Sequence, residues 1–566
     1  VKTVSTTQEV ALKHTVVRLV LPLLMTFSLA SAADNPNIIL ISVDALRPDH
    51  LGCYGYHRDT SPTLDSLANH GIIFENAFSS AAWTSPGLIS LLTGRSEPAH
   101  GVTTREKNLT PGTSTIAAEL RKHGYHAPDI CYLIGAPNYQ NLGFEEFPQK
   151  ADLLTVGHDI LFHWLREYAT RSQPFFLYYH YRDLHQPYNP GTPFDTMFLP
   201  DGKPPTDPVV RERFETVRNA LLLPSGSINF EPGDTSWITG LYDGELAQFD
   251  RQFLWPVITK LRTLGIDSNT MVIITADHGE ELLDHGAVGH ASTSLTSSIF
   301  DECLRIPLII VPPRRDNNPI REHSLVSIID VMPTILDYLS LDIPDDVQGH
   351  PLTAAFRGGK IENNMIFVSS VLGGYQATKE MQQIHLRAVR TPFWKLIRRD
   401  VTTEGSTRWL YDLTGDPGEH VDVSSDYHEI ADSLEARLIQ WLEESRRIYS
   451  TPLWATPDAG EDVSTPTILY PQHGDSLLFK ETRGSIEVRL STTGGSRYTI
   501  GYTVGTDEYH VEGTIDSTPE GVRFGPFSPT FWSTLVRYNP WTFRVFPEGK
   551  PEMTTDWITF YLSPVE

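Results

Sequence analysis

Two apolar runs in this sequence end in acids. ISVD stops at Asp44, and ITAD stops at Asp277 with His278 directly after it. Carboxylate oxygens and an imidazole are donors that a divalent cation accepts. A lone Asp at a strand end is most often a cap or a turn former. An adjacent Asp-His pair beyond an apolar strand, matched by a second strand-end Asp far away in sequence, points instead to a shared ion. FFLYYHYRDLHQPY adds His180 and His185, and GAVGHAS adds His290, twelve residues past His278. Imidazoles on the same rim can stabilise transition-state charge or hand a proton to a leaving oxygen. WTSPGLISLLTGR places two hydroxyls, Thr84 and Ser85, ahead of Pro86 and an apolar run. Helices commonly open on Ser or Thr at the N-cap with Pro at the first helical position, so this stretch reads first as a plain helix start. A hydroxyl in that place also lies at the positive end of a helix, which favours both an alkoxide and a bound oxyanion.

The elements that must position these residues alternate. NIILISVD (37–44), PFFLYYH (174–180), MVIITAD (271–277), RIPLIIV (305–311) and NMIFVSS (364–370) are continuous apolar stretches, as expected of strands buried on both faces. Between them lie helical segments with legible ends: Ser61-Pro62 opens SPTLDSLANHG and Gly71 closes it, and TIAAELRKHG stops at Gly124. The fold class is therefore α/β, a layered sheet with helices on both faces and ligands at the carboxyl ends of the strands. TPLWATPDAGEDVSTPT is polar and rich in Pro and Thr, a linker (451–466). Beyond it SIEVRL, RYTIGYTV, YHVEGTI, VRFGPF, WTFRVF and DWITFYL alternate with period two, which predicts a C-terminal β-sandwich over 467–566. Trp532, Trp541 and Trp557 there read as core rather than as a carbohydrate platform, because of the area they bury.

A chain of 566 residues is too long for one core. Its net charge of −25 argues against nucleic acid or an anionic membrane surface as the main partner. Lys13, His14 and Arg18 precede the apolar run LVLPLLMTFSLA, and Ala30-Ser31-Ala32 follows at cleavage spacing, the layout of a secretory signal (1–33). The run is about twelve residues against roughly twenty for a span, so no transmembrane anchor is expected after processing. The expected location is periplasmic or extracellular. Cys53, Cys131 and Cys303 are too few and too scattered for a disulfide framework or a zinc site.

VDALRPDHLGCYG, WTSPGLISLLTGR, FFLYYHYRDLHQPY, TADHGEELLDHGAVGH, DECLRIPLIIVPP and LYDLTGDPGEH, in this order, resemble the sulfatase family of the alkaline-phosphatase superfamily over about residues 37–450. The resemblance implies a catalytic domain over 34–450, with a smaller subdomain from about 360, and a metal-dependent hydrolase of sulfate or phosphate-type esters. In that family's signature a Cys or Ser, oxidised to formylglycine, stands two residues before the Pro and ten before the Gly of TGR. Here Thr84 holds that place, and threonine does not yield that aldehyde. A formylglycine hydrate expels sulfate by breaking a C–O bond of the enzyme. An ester on a plain alcohol must instead be attacked at its central atom, which phosphoryl groups permit more readily than sulfuryl groups.

Other departures run the same way. Gly87 and Leu88 replace the signature's Ser and Arg, YLIGAPNYQNLGFEEF replaces a motif bearing Lys and His, and the paired acids after the first strand are reduced to Asp44-Ala45. What remains resembles a single-metal site: one divalent cation, calcium, manganese or zinc, on Asp44, Thr84, Asp277 and His278. Thr84 is then the catalytic nucleophile, with His185 and His290 beside it. The expected substrate is an anionic ester, a phosphodiester or phosphonate monoester in preference to a sulfate ester, carried on a glycan or envelope component. A true arylsulfatase-like enzyme, an envelope phospho-headgroup transferase and a non-catalytic glycan-binding protein are the competing readings.

Overall fold

A computed structural model describes residues 35–450 apart from 132–138, 146–158, 169–172, 222, 224–225, 291–298, 314–318, 375–376 and 403–404, together with the backbone of strands between 468 and 562. The signal-like segment 1–33, the linker 451–466, the tract 132–138 of YLIGAPNYQNLGFEEF and the side chains of Trp532, Trp541 and Trp557 lie outside the described residues. The chain divides into two compact units, one within residues 1–98, 102–107 and 114–442, the other from 99–101, 108–113 and 443–566.

The first unit is built on a six-stranded sheet. Its strands are β1 (Asn37–Val43), β2 (Ile72–Phe78), β3 (Phe176–Tyr181), β4 (Thr270–Ala276), β7 (Arg305–Val311) and β8 (Ile320–Ser327), in the order β3-β1-β4-β7-β2-β8. A short pair, β5 (Glu281–Leu282) and β6 (Val288–Gly289), lies between β4 and β7 in sequence. Every residue of β1, β3 and β4 is buried, which is why these segments are continuously apolar or aromatic. Only β7 is antiparallel to its neighbours β4 and β2. Two strands were not among the apolar runs of the sequence, for physical reasons. In β2, Glu75-Asn76 interrupts IIFENAF, and the pairing register shifts there. β8 is an edge strand whose first half, IREHS, is only partly buried.

NMIFVSS does not join this sheet. It forms β9 (Ile366–Val371) of a second, antiparallel sheet with β10 (Ile384–Arg390), β11 (Trp394–Val401) and β12 (Gly405–Asp412). The run is apolar because this sheet too is covered twice. Val368, Ala388 and Ile397 pack on Phe78, Cys303 and Leu325 of the first sheet's layer. Val389, Leu396 and Leu410 pack on Ala431, Leu434, Leu438 and Leu442 of the helix His428–Ser450.

Helix α1 (Pro62–Ala68) starts at Ser61 as the sequence indicates, but ends at Asn69, and Gly71 leads into β2. Its first turn is closed from a distance: the Asp250 carboxylate accepts the backbone N–H of Thr63 and of Leu64, at 2.9 Å each. The three thiols are free.

In the second unit the strands 468–470, 486–490 and 522–524 form one sheet. Strands 476–477, 558–562, 541–547, 497–504 and 513–516 form another. All pairs are antiparallel except 476–477 with 558–562, so a C-terminal domain of largely antiparallel sheet is present.

Candidate active site

β1 and β4 are neighbours in parallel register, Val43 opposite Ala276, so the next residues, Asp44 and Asp277, emerge side by side at one sheet edge. β3 flanks β1 on its other side with His180 opposite Ser42. The chain turns away after Asp44 through Ala45 at φ 59°, a left-handed conformation costly for a residue with a Cβ. Tyr242 stabilises that turn, its hydroxyl donating to the Ala45 carbonyl at 2.8 Å and accepting from the Arg47 N–H at 2.9 Å.

Helix α2 (Thr84–Thr93) follows β2 and corrects the capping expectation. The N-cap is Trp83, extended at φ −163°, with no side-chain cap. Thr84 is the first helical residue, and Pro86 comes two further on. The Thr84 hydroxyl is thereby released from capping and lies 3.3 Å from His278 Nε2. Ser85 points elsewhere, its Oγ 3.3 Å from the Tyr139 hydroxyl. At Gly87 the helix touches the Asp277 backbone so closely that a Cβ would fall 2.5 Å from its carbonyl oxygen. The absence of the signature's Ser at this place thus has a steric reason. The motif's last residue, Arg95, is buried and paired with Asp346.

His278 Nε2 lies 3.4 Å from Asp44 Oδ1 and 3.4 Å from Asp277 Oδ2, and His180 Nε2 lies 3.3 Å from Asp44 Oδ2. The other nitrogen of each ring is engaged: His278 Nδ1 donates to the Gly279 carbonyl at 2.7 Å, and His180 Nδ1 is 2.9 Å from Ser42 Oγ. Burial opposes charge on Asp44, but His185, His180 and His278 outweigh it and hold its carboxyl well below the usual range. Burial pushes Asp277 up and the Asp44 charge adds to the shift, with the histidines only partly offsetting it.

The predicted residues Asp44, Thr84, Asp277 and His278 thus converge, and His185 and His290 flank them. The His290 ring lies 4.1 Å from that of His278 and 4.8 Å from that of His185, centroid to centroid. His185 Nδ1 donates to the Gln186 carbonyl at 2.5 Å, and His290 Nδ1 is 2.9 Å from Glu280 Oε1. Burial pushes Glu280 up to about 7 despite the nearby histidines. Burial and the neighbouring His278 and His185 charges push His290 down. Burial also works against charge on His185, but Asp44 and Glu280 raise its pKa above the ordinary 6.5. A cavity of about 530 Å³ opens beside Asp44 and His185, lined also by Arg182, Gln186, Asn189 and Glu245.

Glu280 and Tyr139 were not singled out from the sequence. Glu280 stands three residues beyond Asp277 in DHGE and could have been noticed there; nothing local marks Tyr139. His180 was noticed without a role, and the structure brings it against Asp44.

The residues fit a divalent cation. Asp44 Oδ1, Asp277 Oδ2 and His180 Nε2 are buried without a hydrogen-bond partner. One ligand atom from each of Asp44, His180 and Asp277 falls within 4.8 Å of the others. Two adjacent buried carboxylates need a counter-charge, and a hydrogen bond on Nδ1 is the arrangement that turns a histidine's Nε2 toward a metal.

A layered α/β unit thus brings strand-end acids, histidines and a hydroxyl together at one rim. The family model Sulfatase matches residues 36–341, and the model described as N-sulphoglucosamine sulphohydrolase, C-terminal, matches residues 296–444. The chain belongs to the sulfatase family. Iduronate 2-sulfatase of Mus musculus is 28% identical over 350 residues, covering 50% of this chain and 61% of that protein. An arylsulfatase of Clostridium perfringens is 24% identical over 485 residues, covering 73% of this chain and 96% of that protein. The phosphonate monoester hydrolase of Agrobacterium radiobacter shares the fold at a TM-score of 0.58 and 22% identity, over 72% of this chain and 96% of that one. No helix among the described residues is long and apolar enough to cross a membrane.

Proposed function

We propose that this chain is an exported, cation-dependent hydrolase in which the Thr84 hydroxyl is the nucleophile, with phosphodiesters or phosphonate monoesters preferred to sulfate esters. The observation that carries the reading is the position of that hydroxyl. It is freed from capping at the start of α2, 3.3 Å from His278 Nε2 and beside two buried carboxylates. Asp44, Asp277, His278 and the Thr84 oxygen would hold the cation, which would lower the pKa of the alcohol and neutralise charge on the transferred group. The His278 imidazole favours manganese or zinc over calcium.

Thr84 Oγ, its proton lost to solvent beforehand because its pKa would be lowered, attacks the central atom as an alkoxide and is expelled as one when water attacks, and the uncapped end of α2 stabilises the oxyanion. His185, its Nδ1 bound to a carbonyl, presents Nε2–H to the cavity and protonates the leaving oxygen as that bond breaks. The neutral imidazole then takes a proton from the water that attacks the ester on Thr84, which returns both groups to their starting state. The signal-like segment 1–33 supports an exported enzyme. The name of the iduronate 2-sulfatase supports a sugar in the leaving group.

A true sulfatase is the second reading, favoured by the family model and the sulfatase relatives. Assaying an aryl sulfate against an aryl phosphonate monoester on one preparation separates the two. Thr84→Ala is expected to lower kcat/KM by several orders of magnitude with the fold intact, while Thr84→Ser stays active. Undiminished turnover by Thr84→Ala defeats the nucleophile assignment, and faster turnover of the sulfate defeats the preference.

A further inference from the structure

DECLRIPLIIVPP and LYDLTGDPGEH supply nothing to the chemistry above, yet folding brings the two blocks together around one lysine. Lys395, on β11, is 0% exposed, and its Nζ donates to Asp301 Oδ1 of the first block at 2.8 Å and to Glu419 Oε2 of the second at 3.0 Å. The same Glu419 oxygen accepts the Asp301 N–H at 2.6 Å, and Arg390 Nε donates to Asp301 Oδ2 at 3.1 Å. Two cations thus face two carboxylates, the balance that a buried cluster needs. Burial works against charge on Lys395, but Asp301 and Glu419 outweigh it and hold its pKa above the ordinary value. The residues that follow Asp301 grip the site. The Cys303 carbonyl accepts the Gly279 N–H at 2.8 Å, and the Glu302 carbonyl accepts the Glu280 N–H at 2.9 Å. A Cβ on residue 279 would fall 2.0 Å from the Glu302 carbonyl oxygen, so the two backbones touch. The Gly279 carbonyl in turn takes the His278 Nδ1–H, and Glu280 Oε1 lies against His290 Nδ1.

We propose that Lys395 is a positioning residue for the site: by fixing the turn Asp301–Leu304 it sets where His278 and Glu280 lie, although it bonds to neither. The proposal rests on the reading above that this centre is catalytic, but not on Thr84 being the nucleophile or on which ester is preferred. Without the ammonium group, Asp301 and Glu419 face each other with Arg390 bonded to Asp301 alone. A buried carboxylate stripped of its counter-charge then drives the turn apart, and the loop gripped by that turn moves with it. Removing a group that orients a ligand from behind costs about 10- to 100-fold. The cavity beside His185 is lined by other segments, so the loss falls on kcat rather than on KM.

The test pairs amide hydrogen exchange with kinetics on the full-length protein. Leu434→Ala serves as the control for lost stability, because it opens the apolar face between the second sheet and the helix His428–Ser450 and leaves the ion cluster intact. In Lys395→Met the Gly279 and Glu280 amides are expected to lose protection, and kcat on the aryl ester that the wild type turns over faster to fall about 10- to 100-fold with KM little changed. Leu434→Ala is expected to lower the Tm as much or more, yet to keep both the protection and kcat. Asp301→Asn, which preserves size and an acceptor, is expected to show the same two losses and stands in should Lys395→Met not fold. Wild-type protection or wild-type kcat in the lysine variant, or equal losses in Leu434→Ala, overturns the proposal. Exchange reads the tether whether or not an ester is turned over, so its failure and the failure of the hydrolase reading are told apart.

Discussion

His185 is the residue whose protonation the proposed chemistry reads most directly. Burial works against its charge, yet Asp44 and Glu280 hold its pKa above 6.5, so the imidazolium persists to higher pH than in an ordinary histidine. An acid must carry its proton to give it away, so kcat falls as pH rises through this elevated pKa. The fall is steep for an alkyl leaving group, which needs the proton, and shallow for 4-nitrophenolate, which does not. His185→Gln is expected to flatten that alkaline limb and to cost about 100-fold or more on the alkyl ester. An unchanged limb in the variant would place the acid elsewhere. Asp44, Asp277 and His278 were legible in the sequence because apolar strands that stop at acids announce a sheet edge, and Thr84 only because it holds the nucleophile's place in the signature that the sequence resembles. The link from Glu280 to His290 was not, since an i to i+10 side-chain contact depends on the course of the β5–β6 hairpin rather than on any local pattern.

At the scale of the element, the approach of α2 to the β4 loop sets where the hydroxyl lies. A Cβ on residue 87 would meet the Asp277 carbonyl oxygen at 2.5 Å and the carbonyl carbon at 3.2 Å, backbone atoms that cannot rotate aside. Gly87→Ala is therefore expected to push the first turn outward and cost about 1–3 kcal/mol of stability, as overpacking does. A displacement of this kind near 1 Å lowers kcat by roughly 100-fold. Thermal unfolding and kcat on one aryl ester check both, and a variant with wild-type kcat would show that the helix position is not critical. Sequence comparison marks Gly87 only as a departure from a signature; the reason needs the neighbouring backbone. The cap on α1 was hidden in the same way. Ser61 looks like its cap, but Asp250, almost two hundred residues on, accepts the two N–H groups.

For the whole molecule, a bound ion would link activity to stability. Two buried carboxylates and two or more imidazoles at the junction of β1, β3, β4 and α2 repel or strand one another without a counter-charge, and an ion that binds only the folded chain shifts the unfolding equilibrium. At about 1,000 times its Kd an ion adds about 4 kcal/mol. Chelation is expected to lower the Tm by several degrees and to abolish turnover, with Mn²⁺ or Zn²⁺ restoring both. A chelator that leaves Tm and turnover untouched would remove the cation from the account. The layered α/β class was readable from alternating runs of apolar strand and capped helix, but the reversed direction of β7 was not, because a strand buried on both faces carries no mark of its polarity. That reversed strand bears on how the protein comes into being. Every residue of the proposed centre has been translated once the chain reaches His290, yet β7 (305–311) is the seam between β4 and β2. Until it is made, the sheet lacks the strand through which the half carrying the two acids pairs with the half carrying the hydroxyl. A polypeptide that stops short of β7 would hold all the reagents without the strand that joins their two halves, and a chain truncated there is expected to show no turnover.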